Sequence, residues 1–176
     1  MALAGDTPAL REALGPEPKA VAKGVTGDLD EPLVSDALDH PETLRTALEL
    51  GLDPNEVGAS GRTPLMVAAR LDLIKAAGIL LANGASLNTG AKDAVAQTDS
   101  TGDPLCMTGD KTAGDIPGRT ALSYAVELGS LEMVGLLLDH GADAKRLDSA
   151  GRRPADYVEN RAGDAAQSAK IAEMLR

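Results

Sequence analysis

The sequence predicts an all-α solenoid built from about four helix-turn-helix units, and an internal repeat is the main reason. The segment GRTPLMVAARLDLIKAAGILLANGASLN, at residues 61–88, aligns without a gap with GRTALSYAVELGSLEMVGLLLDHGADAK, at residues 118–145. Gly51 and Gly84 are 33 residues apart, as are Gly118 and Gly151, whereas the two aligned segments are 57 residues apart. A period of 33 residues is typical of stacked helical units, and the excess of 24 residues indicates one insertion.

Each unit carries the signals that start and stop two short helices. Thr63 precedes Pro64, which suits an N-cap followed by the first helical position, and Thr120 stands at the equivalent place in the next unit. The first helices carry small apolar residues that allow close packing, and the second helices are more strongly apolar at helical spacing. Gly51, Gly84 and Gly141 are expected just after the second helices, where a left-handed backbone suits glycine. The chain must then turn outward and return, which we call a finger.

These signals divide the chain into consecutive segments. Residues 1–31 form an N-terminal helical cap or the end of an upstream domain, with a helix expected from Asp6 or Thr7. The remaining boundaries are a capping repeat at 32–57, a repeat at 58–88, an insertion in the finger at 89–114, a repeat at 115–147 and a C-terminal capping repeat at 148–176.

Composition restricts the possible functions. The chain has 176 residues and a formal net charge of -10, which opposes binding to nucleic acid or to an anionic membrane surface. Phe and Trp are absent, and Tyr124 and Tyr157 are the two aromatic residues. Cys106 is the single cysteine, so an intrachain disulfide is excluded. No apolar run is long enough to span a bilayer.

The repeated residues resemble the ankyrin repeat family. The resemblance rests on GRTPLMVAA, GRTALSYAV, LLANGASLN and LLLDHGADA, spaced as that family spaces them. It implies caps with polar outer faces, and Arg153 replaces the capping threonine in the last unit. The histidine that usually follows Thr-Pro-Leu is Met66 in one unit and Ser123 in the other, so the hydrogen bonds that this histidine makes between fingers should be missing.

No arrangement of residues indicates catalysis, a cofactor or a metal site. Asp99, Asp103, Asp110 and Asp115 lack the spacing of a calcium loop. His40 and His140 are expected at the ends of second helices, too far apart to share a metal. Ser123, His140 and Asp143 are the residue types of a hydrolase triad, but Ser123 lies on a regular repeat helix without a nucleophile elbow.

One surface pattern indicates binding. Arg62, Arg119 and Arg152 each follow the repeat glycine, so they should form a row across three fingers, spaced by about 10 Å, the distance between packed helices. This row is either a local positive stripe that contacts a partner or a set of arginines paired with aspartates of neighbouring fingers, such as Asp115 or Asp148. The candidate partner-binding residues are Arg62, Met66, Arg70, Arg119, Ser123, Glu127 and Arg152.

The leading functional interpretation is a non-enzymatic protein-protein interaction module, an adaptor or an inhibitor, that uses its fingers, its insertion and its concave face. The alternative is a regulatory or substrate-binding repeat domain of a larger enzyme. We expect a monomer that binds an unidentified protein partner. The Ala-rich, Phe-free composition indicates a bacterial source, and we expect a cytoplasmic location, or a periplasmic one if a signal peptide has been removed.

Overall fold

The computed structural model describes residues 33–58, 61–91, 116–160 and 165–176, together with the single positions Pro8 and Glu12. Within these ranges the structure is helical and has no β-strand. The elements are α1 (Leu33–Asp36), α2 (Pro41–Glu49), α3 (Pro64–Arg70), α4 (Ile74–Ala82), α5 (Ala121–Leu128), α6 (Leu131–Asp139), a 3-10 helix (Pro154–Asn160) and α7 (Ala165–Met174). The expected N-terminal helix, most of the insertion and Cys106 lie outside the described residues.

The helices stack in two layers. One layer runs from α1 through α3 and α5 to the 3-10 helix, and the other runs from α2 through α4 and α6 to α7. Each helix packs against its neighbours in its own layer, and the two helices of a unit also pack against each other. The predicted all-α solenoid of helix pairs is therefore confirmed. In the described ranges, no helix combines the length and the apolar character that crossing a membrane requires.

The helix signals act as expected in the two central units. The hydroxyl of Thr63 accepts a hydrogen bond from the backbone N–H of Met66, and the hydroxyl of Thr120 accepts one from Ser123. Gly84 and Gly141 follow the second helices with φ of +84° and +93°, in the left-handed region that glycine adopts without strain. Local sequence is therefore sufficient to start and stop these helices.

The outer units depart from this pattern for local reasons. Helix α1 has only four residues and lacks a Thr-Pro start. In the last unit Arg153 has no hydroxyl, and its backbone N–H donates instead to the carboxylate of Asp156, at 2.7 Å, as a 3-10 helix begins. The prediction that His40 ends a second helix was wrong, because His40 is the N-cap residue of α2. His140 is the C-cap residue of α6, as expected.

The core lies between the two layers and repeats with the sequence. Leu65 and Leu122 occupy one repeat position and are each 1% exposed, while Leu80 and Leu137 occupy another and are fully buried. Burying such a leucine contributes about 1.5 to 3 kcal/mol to folding. Ala68 and Ala125 are also fully buried, and their small side chains let α3 and α5 approach each other closely.

The fingers share one backbone turn. In the middle finger the insertion falls within this turn in the sequence, but the backbone hydrogen bonds of the turn are still formed. The N–H of Gly58 donates to the carbonyl of Arg62, and the N–H of Asp148 donates to that of Arg152, each across four residues. In the middle finger the N–H of Ala91 donates to the carbonyl of Arg119 at 2.7 Å. The N–H of Gly118 donates back to Ala91 at 2.8 Å. Ala91, which precedes residues 92–115, is therefore held against Gly118 and Arg119, which follow them. These 24 residues equal the excess in the repeat period.

Asparagine side chains link neighbouring fingers. The amide oxygen of Asn55 accepts from the backbone N–H of Ser86 at 2.7 Å, and that of Asn88 accepts from Asp143 at 2.9 Å. Asn55 also donates to the carbonyl of Gly84. These bonds recur at one repeat position, so they hold successive fingers at a constant spacing.

Candidate functional site

The three repeat arginines and the two tyrosines form one continuous stack, which we call the ladder. Its order is Arg62, Tyr124, Arg119, Tyr157, Arg152. The guanidinium carbon of Arg119 lies 4.2 Å from the centre of each tyrosine ring. Arg62 lies 5.8 Å from the Tyr124 ring, and Arg152 lies 4.6 Å from the Tyr157 ring. All four distances are within the range of cation-π attraction, so the ladder joins three fingers and two first helices.

Arg119 is the centre of the ladder and is buried. Only 5% of the residue is exposed, and its guanidinium contacts the carboxylate of Glu127, two helical turns along α5. Burying an unpaired guanidinium would be costly, so the carboxylate and the two ring faces together compensate the lost hydration. Glu127 keeps 41% of its side chain exposed, which places a carboxylate on the surface of α5.

Asp148 accepts hydrogen bonds within the last finger, at the end of the ladder formed by Tyr157 and Arg152. One carboxylate oxygen accepts the backbone N–H groups of Ala150 and Arg152, and the other accepts the hydroxyl of Tyr157. The Arg152 guanidinium lies 3.5 Å from this second oxygen. Burial alone would raise the pKa of Asp148, but the hydrogen bonds from Tyr157, Arg152 and Ala150 outweigh it and lower the pKa. The pKa of Tyr157 is raised by burial and by its hydrogen bond to Asp148.

Arg119 and Arg152 form ion pairs, as the alternative of paired arginines expected. Arg119 pairs with Glu127 of its own helix, and Arg152 pairs with Asp148 of its own finger. The expectation that the paired aspartates come from neighbouring fingers was wrong for both arginines. The reason is geometric, because each side chain runs along its own unit to reach a tyrosine ring. Asp115 lies outside the described residues.

The candidate binding residues divide into buried and accessible groups. Met66 and Ser123 are 1% and 3% exposed, and they lie with Arg119 inside the array. Arg70 is exposed, and Arg62, Glu127 and Arg152 are partly exposed. Contact with a partner stays a prediction for all seven residues, and the accessible four are the ones that a partner can reach without disturbing the core.

Two leucines that the sequence reasoning missed lie beside these accessible residues. Leu71 is 56% exposed at the end of α3, and Leu128 is 41% exposed at the end of α5. They are 57 residues apart, so they occupy the same repeat position. Leu128 follows Tyr124 by four residues and therefore shares its helix face. The signal was available in the alignment, since two aligned leucines fall just after the last small core residues of each first helix.

The metal-binding and catalytic arrangements that were considered from the sequence are not found in the described ranges. No cluster of three or more His, Cys, Asp or Glu residues that could hold a metal ion occurs in this part of the chain. Ser123 is buried on α5, and its hydroxyl lies 3.4 Å from that of Thr120. This contact is part of a helix start and does not place a general base beside Ser123.

The two-layer array of helix pairs with protruding fingers defines a solenoid repeat protein. The family model of the ankyrin repeat matches residues 60–93 and 117–149, which contain Arg62, Arg119 and Tyr124 of the ladder. Residues 60–93 and 117–149 are therefore ankyrin repeats. Ankyrin repeats are generally protein-protein interaction modules and are typically non-catalytic, which implies a protein partner.

Proposed function

We propose that this chain is a non-enzymatic binding module, of the adaptor or inhibitor type, and that one protein partner lies across the first-helix face. By this face we mean the exposed side of α3 and α5, formed by Arg70, Leu71, Glu127 and Leu128, together with Arg62 beside it. The insertion joins the chain at the adjacent finger and contributes further contacts.

The exposure of Leu71 and Leu128 carries this proposal. Two large apolar side chains stand open to solvent at equivalent positions of neighbouring helices, about 10 Å apart, the spacing of packed helices. A partner that covers both leucines would remove their apolar surface from water, which favours binding by about 25 cal/mol per Å² of surface removed. Single exposed leucines are ordinary, but a pair in register forms the start of a contact strip.

The ladder supports the proposal through rigidity. The guanidinium of Arg119 is held between two rings and against Glu127, which directly precedes Leu128 in α5. Side chains that are already ordered lose little entropy when a partner binds. The Glu127 side chain of the first-helix face is therefore held in place before a partner binds.

The position at which the insertion is attached to the array supports a contribution of the insertion to partner binding. Ala91 and Arg119 are joined by backbone hydrogen bonds on the finger edge, and Arg119 is a rung of the ladder. The residues that flank 92–115, Ala91 and Ile116, therefore lie in the finger that carries Arg119. A long loop whose flanking residues keep the regular turn can add contacts to a partner without altering the packing of the repeats.

The test begins with capture of partner proteins from an extract of the source cells on the immobilised chain. A captured protein is then purified and titrated calorimetrically against the wild type, Leu71→Ser/Leu128→Ser, and a chain that lacks residues 92–115. The leucine variant should bind at least about tenfold more weakly, equal to about 1.4 kcal/mol. The deletion should also weaken binding.

Lys75→Ser is the matched control, because Lys75 is exposed on α4 in the other layer. It should bind as the wild type does. Equal binding of the leucine variant and the wild type would refute the first-helix face as the contact surface. Turnover of a substrate by the isolated chain would refute the non-enzymatic assignment.

A further inference from the structure

The last finger, residues 145–153, differs in charge from the rest of the molecule. It contains Lys145, Arg146, Arg152 and Arg153 and a single acidic residue, Asp148, which gives a formal charge of +3 in a chain of -10. The equivalent residues 55–63 hold one Glu and one Arg. A basic segment of nine residues is therefore confined to one end of the array.

The cations of the last finger are not equally available. Arg152 pairs with Asp148, and Arg153 pairs with Asp156. Within the described ranges no ion pair involves the side chain of Lys145 or Arg146, and both residues are exposed. These two side chains are the ones that a ligand can engage without displacing an existing partner.

An exposed leucine lies in this basic segment, next to two of its cations. Leu147 follows Arg146 directly and is 57% exposed, slightly more than Leu71. The core accounts for neither Leu147 nor the charges beside it. Leu147 is thus an exposed apolar side chain that directly follows two cations, Lys145 and Arg146.

The last finger is also rigid. The carboxylate of Asp148 accepts the backbone N–H groups of Ala150 and Arg152, and the N–H of Ser149 donates to the carbonyl of Pro117 in the preceding finger at 2.8 Å. Gly118 lies so close that an added Cβ would be 3.1 Å from the Asp148 Cα atom. The turn is therefore braced both from within and by its neighbour, and binding need not order it.

From these features we infer that the last finger is a separate docking site for an acidic protein segment that carries one apolar side chain. Carboxylates of the segment pair with Lys145 and Arg146, and its apolar side chain covers Leu147. The inference shares with the proposed function only that the ligand is protein, because it uses a different surface from the first-helix face.

The surrounding charge favours a short acidic peptide over nucleic acid. A nucleic acid backbone is a long polyanion, and beyond the finger it would meet a chain of net charge -10. A short peptide stays within about one Debye length, roughly 8 Å at physiological salt, where the cations of the finger dominate. A contact made to phosphates alone would also leave the apolar side chain of Leu147 uncovered.

The experiment is an NMR titration of the full chain, labelled with nitrogen-15, with a synthetic peptide in which one central leucine is flanked on each side by three glutamates. The amide signals of residues 145–153 should shift in a saturable manner. Lys145→Glu/Arg146→Glu should weaken binding at least about fivefold, and binding should weaken as salt rises. Leu147→Ser should weaken it about threefold without changing the salt dependence.

Lys75→Glu/Lys170→Glu is the matched control, since it reverses two exposed cations elsewhere and changes the net charge equally. It should alter the affinity by less than about twofold. Equal weakening by both double variants would overturn the inference, because binding would then follow net charge alone. Tighter binding of a single-stranded oligothymidylate at residues 145–153 would also overturn it. Failure of Leu71→Ser/Leu128→Ser to affect the captured partner would leave this result unchanged, so the two proposals fail separately.

Discussion

The ladder should stabilise the folded chain measurably, and the contact between Arg119 and Tyr124 within one unit is the place to measure it. Arg119 is 5% exposed and lies 4.2 Å from the Tyr124 ring, so this contact belongs to the desolvated end of cation-π energies, about 1 to 2 kcal/mol. Tyr124→Leu removes the ring and keeps an apolar side chain. Arg119→Met removes the charge and keeps an unbranched one.

The measurement is a double-mutant cycle from urea unfolding followed by circular dichroism. The wild type, Tyr124→Leu, Arg119→Met and the double variant give four free energies of unfolding, and the coupling energy is the amount by which the single effects fail to add. We expect about 1 to 2 kcal/mol. The same cycle between Arg152, which is partly exposed, and Tyr157 should give less. Coupling within about 0.3 kcal/mol of zero at Tyr124 would refute the ladder as a stabilising contact.

Three further outcomes follow from the structure. Deletion of residues 92–115 joins Ala91 to Ile116 and restores the turn of the other fingers, so helical circular dichroism and the unfolding midpoint should change little; loss of cooperative unfolding would contradict this. Leu137→Ala should cost about 2 to 5 kcal/mol in urea unfolding, because Leu137 is fully buried, and a value near zero would contradict the assigned core. The pKa of Asp148 is lower in the folded chain than its usual 3.8, so its stabilisation is complete above that value and is lost as pH falls through the folded pKa. The stability difference between the wild type and Asp148→Asn should therefore shrink as the pH falls below about 4, and a constant difference would contradict this reasoning.

The candidate site was predicted in part. Arg62, Arg119 and Arg152 were recognised as a row because they occupy one repeat position, and repeat position is a property of sequence. Their insertion between Tyr124 and Tyr157 was not predicted. The tyrosines lie five residues after two of the arginines, but only the stacking of neighbouring units brings a ring of one unit against a guanidinium of another. Met66 and Ser123 were candidates as positions on the first helices, and the same stacking buried them.

The sequence by itself determined the number of units, the starts and stops of the central helices, and the length of the insertion. These are local properties: Thr63 and Thr120 cap through neighbouring N–H groups, Gly84 and Gly141 take a left-handed backbone, and the period counts residues. Tertiary structure decided which polar residues are buried, which charges are compensated, and which apolar side chains stay exposed. Arg119 is buried and Leu128 is exposed against their ordinary preferences, because the contacts that decide exposure come from adjacent units. Those units are separated in sequence by a full repeat or more, and across this distance periodicity predicts that units stack but does not identify the individual side-chain contacts.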